Sequence, residues 1–254
     1  MNKVILLSFM LFQGAYAMDI PGNSFGDGIF KDLSPMIRDY DEALKLTNGL
    51  QGRLNQAKDL TELEKLINSD KMFAVAPLKL NFSEKFSLQV TDDILQKFVA
   101  LMPNLVGLDL SSCNKLTDVG IAHLKFLTNL RSLDLLGLAK LTDAGFEPLQ
   151  SLKNLTSLNL GFTRMSDVGL EHIKYLYYLT TLKLIKTNIT DAGLKYLESL
   201  DNLTILNLSQ TNITDLRPLK DLDKLSELYL YGTKIWATGT GDIELAMPNC
   251  KIFR

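Results

Sequence analysis

Six times the chain writes the pattern L-x-x-L-x-L, starting at Leu105, Leu130, Leu155, Leu179, Leu203 and Leu225. The steps between these starts are 25, 25, 24, 24 and 22 residues. Whole phrases recur with them: KTNITDAGLKYLESLDNL from Lys186 to Leu203 is nearly repeated as QTNITDLRPLKDLDKL from Gln210 to Leu225. A catalytic motif is needed once. A phrase repeated at a fixed step is a structural unit that stacks on copies of itself.

The chemistry of one unit follows from its residues. The last two leucines of L-x-x-L-x-L, such as Leu206 and Leu208, fall on one face of an extended strand. Position nine is Cys113, Leu138, Thr163, Thr187, Thr211 and Thr233 in turn. A hydroxyl or thiol there can bond the turn backbone; Leu138 cannot, so the second unit is expected to be distorted. Next, Thr117, Thr142, Ser166, Thr190 and Thr214 are placed as helix N-caps. The aspartate after each of them meets the positive end of a helix dipole. Apolar residues at helical spacing follow, such as Ile121 with Leu124 and Leu194 with Leu197. Pro218 in the fifth unit predicts a short 3₁₀ turn instead. Each unit is therefore strand, turn, helix, and buries neither face without its neighbours. Val75, Leu78 and Leu80 with VTDDIL at Val90–Leu95 form a degenerate unit ahead of the six, and PNCKIF at Pro248–Phe253 forms a fragment after them.

The stretches LVGLDLSSCNKLTDVGIAHL, LRSLDLLGLAKLTDAGFEPL, LTSLNLGFTRMSDVGLEHI, LTTLKLIKTNITDAGLKYL and LTILNLSQTNITDLRPL resemble the leucine-rich repeat family over roughly 70% of the chain, Val75 to Phe253. The L-T-D-x-G-L variant with Cys113 is similar to the cysteine-containing subfamily found beside F-box domains and in bacterial proteins. The 22-residue unit at Leu203 looks like the short bacterial type. The expected fold class is α/β: a curved solenoid with a parallel sheet on the concave face, helices on the convex face and a small helical N-terminal cap. The resemblance implies a protein partner on the concave sheet.

The ends of the chain are read separately. Lys3, the apolar run Val4–Phe12 and the small-x-small sequence Ala15-Tyr16-Ala17 outline a secretory signal peptide over residues 1–17. Its apolar run is about half of the ~20 residues a membrane span needs. Export to a secreted or periplasmic location is therefore expected. Residues 18–73 are a helical cap or an F-box-like segment, and 74–254 are the repeat domain with its C-terminal cap. Leu50, Leu54 and Ala57 share a helical face, and Thr61 with Glu64 makes a capping box. IPGNSFGDGIFKDLSP (Ile20–Pro35) followed by ALKLTNGL resembles an F-box. That resemblance implies a second possibility, an effector that serves a ubiquitin ligase as substrate receptor in a host cytosol and binds the ligase adaptor through this segment.

Little in the chain points to catalysis or cofactors. The net charge is -2 with no long basic run, so no nucleic-acid footprint is visible. The aspartate series could be read as a cation ladder, but helix capping explains it without a ligand. His123 and His172 are two coils apart, ~10 Å at ~4.8 Å per strand step, too far to share a metal. Cys113 and Cys250 are the two cysteines, separated by six strand steps or ~29 Å, so both are expected as free thiols. TGTG at Thr238–Gly241 lacks the Lys-Ser/Thr of a phosphate loop. No catalytic residue, metal site or cofactor is expected.

What varies is the outward row. Positions three, five and seven of each strand face over the sheet, and the solenoid does not require apolar residues there. Yet Leu136, Phe162, Ile185, Ile205, Tyr229 and Tyr231 stand there or on the adjacent turn edge, with Asp134 and Lys183 at the rim. Clustered exposed apolar and aromatic groups mark binding surfaces. These eight residues are the candidate partner site, centred on Tyr229, Tyr231, Ile205 and Ile185.

Overall fold

The structure is a computed structural model that describes residues 45, 48–70, 72–83, 86–235 and 249–254. The signal-peptide and F-box-like stretches, TGTG and most of the C-terminal cap lie outside the described residues. The chain divides into two compact units, residues 1–79 and 80–254.

In the first unit residues 48–56 are helical, and Leu50, Leu54 and Ala57 are buried on one face as their spacing requires. A second helix, Leu60–Ser69, buries Leu63 and Ile67. Its cap differs from the sequence expectation. Asp59, not Thr61, accepts the Glu62 N–H at 2.7 Å, and the Glu62 carboxylate reaches back to the Lys58 N–H at 2.8 Å. Asp59 and Glu62 have the same three-residue spacing, and their acceptors meet two unpaired N–H groups at the helix start. Val75 ends a four-residue helix, Met72–Val75, and is not part of a strand.

The second unit is built on a parallel sheet with strands in chain order: β1 (Lys79–Asn81), β2 (Gly107–Asp109), β3 (Ser132–Asp134), β4 (Ser157–Asn159), β5 (Thr181–Lys183), β6 (Ile205–Asn207), β7 (Glu227–Tyr229) and β8 (Lys251–Phe253). The register puts Leu108, Leu133, Leu158, Leu182, Leu206 and Leu228 opposite one another in a single buried file. Position six makes a parallel file, from Leu110 to Leu230. Its N–H donates to the next coil at position five, as from Leu160 to the Lys183 carbonyl at 2.9 Å.

Beyond the strands each coil turns through a left-handed residue at position eight. Ser112, Gly137, Phe162, Lys186, Gln210 and Gly232 all have φ between 53° and 79°. This turn keeps the ladder going: the Phe162 N–H donates to the Ile185 carbonyl and the Lys186 N–H to the Ser209 carbonyl, both at 2.8 Å. Thr163, Thr187, Thr211 and Thr233 are buried and donate their hydroxyls to the position-six carbonyl three residues back. The turn at Leu138 is not distorted. The two 25-residue coils close this turn through backbone bonds alone, Leu116 N–H to Cys113 and Leu141 N–H to Leu138, so no hydroxyl is needed.

The helical side is tighter than expected. Asp118–Ile121, Asp167–Leu170 and Asp191–Leu194 are single α turns, and 3₁₀ segments continue the first two. Arg217–Leu219 is 3₁₀ at Pro218, as the sequence predicts. Asp143–Ser151 is also wholly 3₁₀ around Pro148, a second proline without an N–H for the α ladder. Thr117, Ser166 and Thr190 cap their own helices; Thr142 does not.

The aspartates do something the capping argument missed. Each accepts two hydrogen bonds from the capping residue of the next coil. Asp118 takes the Thr142 N–H at 2.9 Å and its hydroxyl at 2.6 Å. Asp92, Asp143, Asp167 and Asp191 repeat this with Thr117, Ser166, Thr190 and Thr214. The glycine of T-D-x-G is explained by the same contact. A Cβ at Gly120, Gly145, Gly169 or Gly193 would overlap the preceding coil's aspartate oxygen. Asp215 ends the run and turns to its own coil, where the Arg217 side chain and N–H hold its carboxyl below the ordinary range. Among the described residues no group of three or more His, Cys, Asp or Glu could hold a metal ion.

Candidate binding face

The open face of the sheet carries the eight residues singled out from the sequence, and they fall into two groups. In the first, Gly161 lies between Leu136 and Ile185. A Cβ there would stand 2.5 Å from Ile185 Cγ2 and 3.0 Å from Leu136 Cδ1, so both side chains close over the glycine. Phe162, next along the turn, is 43% exposed, and the Lys186 ammonium sits 5.2 Å from its ring centroid. Asp134 is half-buried and already engaged, accepting the Leu136 N–H at 2.9 Å and the Asn159 amide at 3.0 Å. Lys183 is exposed.

The second group begins on the next coil. Ile205 is half-buried on β6. Tyr231 is 67% exposed. Tyr229 is different: its ring stacks on Phe253 with centroids 4.3 Å apart and planes 3° from parallel. Its hydroxyl donates to Glu227 Oε2 at 2.7 Å, and this bond, then burial and the Glu227 charge, push its pKa up. Tyr229 thus belongs to the packing of the sheet's last strands, and Tyr231 is the accessible aromatic of the pair.

Phe253 stands opposite Tyr229, one place off its match in the repeat. Matching PNCKIF onto the entry Met102–Leu108 puts Phe253 in the buried leucine file. The strand pairing places Ile252 in that file instead and Phe253 opposite Tyr229 on the open face. The last coil has one residue fewer between its Pro-Asn and its strand, and a one-residue slip exchanges the two faces.

Exposed aromatics also occur away from the sheet. Phe126, Tyr175, Tyr177 and Tyr178, 46–60% exposed, lie where helical segments return toward strands. Lys174, beside Tyr175, is paired with Glu171 at 2.8 Å, so the cations there are partly neutralised.

The cysteines sit at opposite ends of the repeat domain, Cys113 just after β2 and Cys250 just before β8, and both are free. Burial, with a contribution from the Asp109 charge, pushes the Cys113 thiol up to about 12. Cys250, partly exposed, is raised by burial and then by Glu227. At pH 8 a disulfide thiol reagent should modify Cys250 in the native protein and reach Cys113 only on unfolding. Native titration of both thiols at equal rates would contradict this burial. Since unfolding restores an ordinary thiol near 9.0, the Cys113 contribution to stability is complete below that pH and fades as pH climbs toward 12.

Comparison with known proteins agrees with this architecture. The family model described as "Leucine Rich repeat" matches residues 102–124 and 151–174. No curated protein matches the chain. Among solved structures, an internalin C2 from Listeria monocytogenes str. 4b F2365 superposes with a TM-score of 0.51 at 21% identity, over 82% of this chain and 80% of that one. No described helix is long and apolar enough to cross a membrane.

Proposed function

Because the chain is a leucine-rich-repeat protein, we propose that it works as an exported binding module that takes a protein partner on the open, concave face of its sheet. What supports the reading is that the stacked leucine files complete the core without the outward residues. Even so, Phe162 and Tyr231 present exposed rings there, beside Leu136, Ile185 and Ile205. A rigid ladder of this kind lowers the entropy lost on association. Cleavage after Ala17 gives a mature chain beginning at Met18, checked by the intact mass of the exported protein.

The experiment is photocrosslinking from single positions on the mature chain. Crosslinks to one partner are expected from the open face, at Ser157 or Thr181, and not from the helical side, at His123 or Ala192. Crosslinks from the helical side alone would refute the assignment. Tyr231→Ala is the cleaner of the two tyrosine tests. It should weaken binding by about 1–3 kcal/mol with little change in stability, whereas Tyr229→Ala also removes the stack on Phe253.

A further inference from the structure

The turn at position eight is left-handed in every coil, and glycine meets that demand without strain at Gly137 and Gly232. Phe162 adopts it at φ 56°, an unfavourable region for a bulky side chain. Burial compensates this only in part, since Phe162 stays 43% exposed. Its neighbour Lys186 does the same at φ 53° and lays its ammonium over that ring. Ser112 and Gln210 take the same turn, so what sets this pair apart is an exposed aromatic ring with an ammonium over it.

The charges around this pair are sorted. On the outward positions of the coils beginning at Leu155, Leu179 and Leu203 there is no carboxylate, and Lys183 and Lys186 supply two cations. Carboxylates occupy the flanks, Asp109 and Asp134 on one side and Glu227 on the other. In a chain of net charge -2 this places a local positive field around the apolar patch where Leu136 and Ile185 close over Gly161.

We infer that the main anchor of the binding face is this patch, and that its occupant is an acidic protein segment. Such a segment sets an apolar side chain against Leu136, Ile185 and Phe162 and places carboxylates beside Lys183 and Lys186. The inference rests on the proposed binding function and narrows it to one region and one partner chemistry. The centre therefore moves from Tyr229 and Tyr231 to the middle coils.

The test is selection of a random twelve-residue peptide display library on the full chain, followed by affinity measurement of enriched peptides. Enriched sequences should pair an apolar residue with Asp or Glu. Phe162→Gly and the double variant Lys183→Glu/Lys186→Glu should each weaken them at least about tenfold, and Lys195→Glu on the helical side should not. Glycine takes the left-handed turn freely, so Phe162→Gly should melt about 2–4 °C above Phe162→Ala. That separates lost binding from lost folding. Enriched peptides without acidic residues, peptides indifferent to Phe162→Gly, or no enrichment would overturn the inference. Open-face photocrosslinks that persist in those variants would leave the binding function standing and remove only this anchor.

Discussion

Gly145→Ala will lower the stability of the repeat domain, although alanine is the better helix former by about 1 kcal/mol. The reason lies in the preceding coil. The added Cβ overlaps the Asp118 carboxylate, which must leave the two bonds it accepts from Thr142. Hydrogen bonds to a charged acceptor are worth about 1.5–3 kcal/mol each. Net of the helix gain, a loss of about 2–5 kcal/mol is expected, or about 4–20 °C in Tm for a protein of this size. Removing the obstacle should rescue the variant. In an Asp118→Ala background the alanine at 145 is left with ordinary van der Waals contact, the residue-118 Cα at 3.5 Å, so the double variant should be far more stable than the sum of the single effects predicts. Thermal unfolding of the four proteins in the cycle decides the matter; a neutral Gly145→Ala would mean the coils do not interlock through this contact.

Leu182→Ala should cost about 3–5 kcal/mol in denaturant unfolding. Leu182 has no exposure and lies mid-file between Leu158 and Leu206, with strands paired on both sides. Neighbouring coils cannot close the void without breaking register with the next pair. Ile185→Ala, three residues away on the open face, should change stability by less than about 1 kcal/mol. Equal costs at the two sites would contradict the assignment of one face to the core and the other to solvent.

Much of this fold was legible because its signal is periodic. Each unit repeats the same burial demand, so the leucine files, the parallel register and the alternation of strand and helical side follow from spacing. Pro218 announced its 3₁₀ turn through a missing N–H. Contacts between successive coils were not legible in the same way. The aspartate and the glycine of T-D-x-G look like two local helix signals, a dipole partner and a flexible residue. They are two sides of one contact between residues 23 to 28 apart, such as Asp143 with Ser166 and Asp92 with Gly120.

The candidate site divides along the same line. That Leu136, Ile185, Ile205 and Tyr231 face away from the core follows from strand alternation, whereas Phe162, at position eight, is turned outward by the left-handed turn. That Tyr229 is engaged by Phe253 depends on a strand whose register slips by one residue from its sequence match. The left-handed turn at position eight was hidden for another reason: glycine, its usual marker, stands at only two of the six positions, Gly137 and Gly232.

The amino-acid sequence alone determined the coil, its repeat and which face of each strand turns inward, since these depend on hydrophobic periodicity within about 25 residues. Tertiary structure decided how one coil grips the next and which outward side chains remain available. Those outcomes depend on distances of a few ångströms between atoms in different coils, which residue spacing along one chain does not encode.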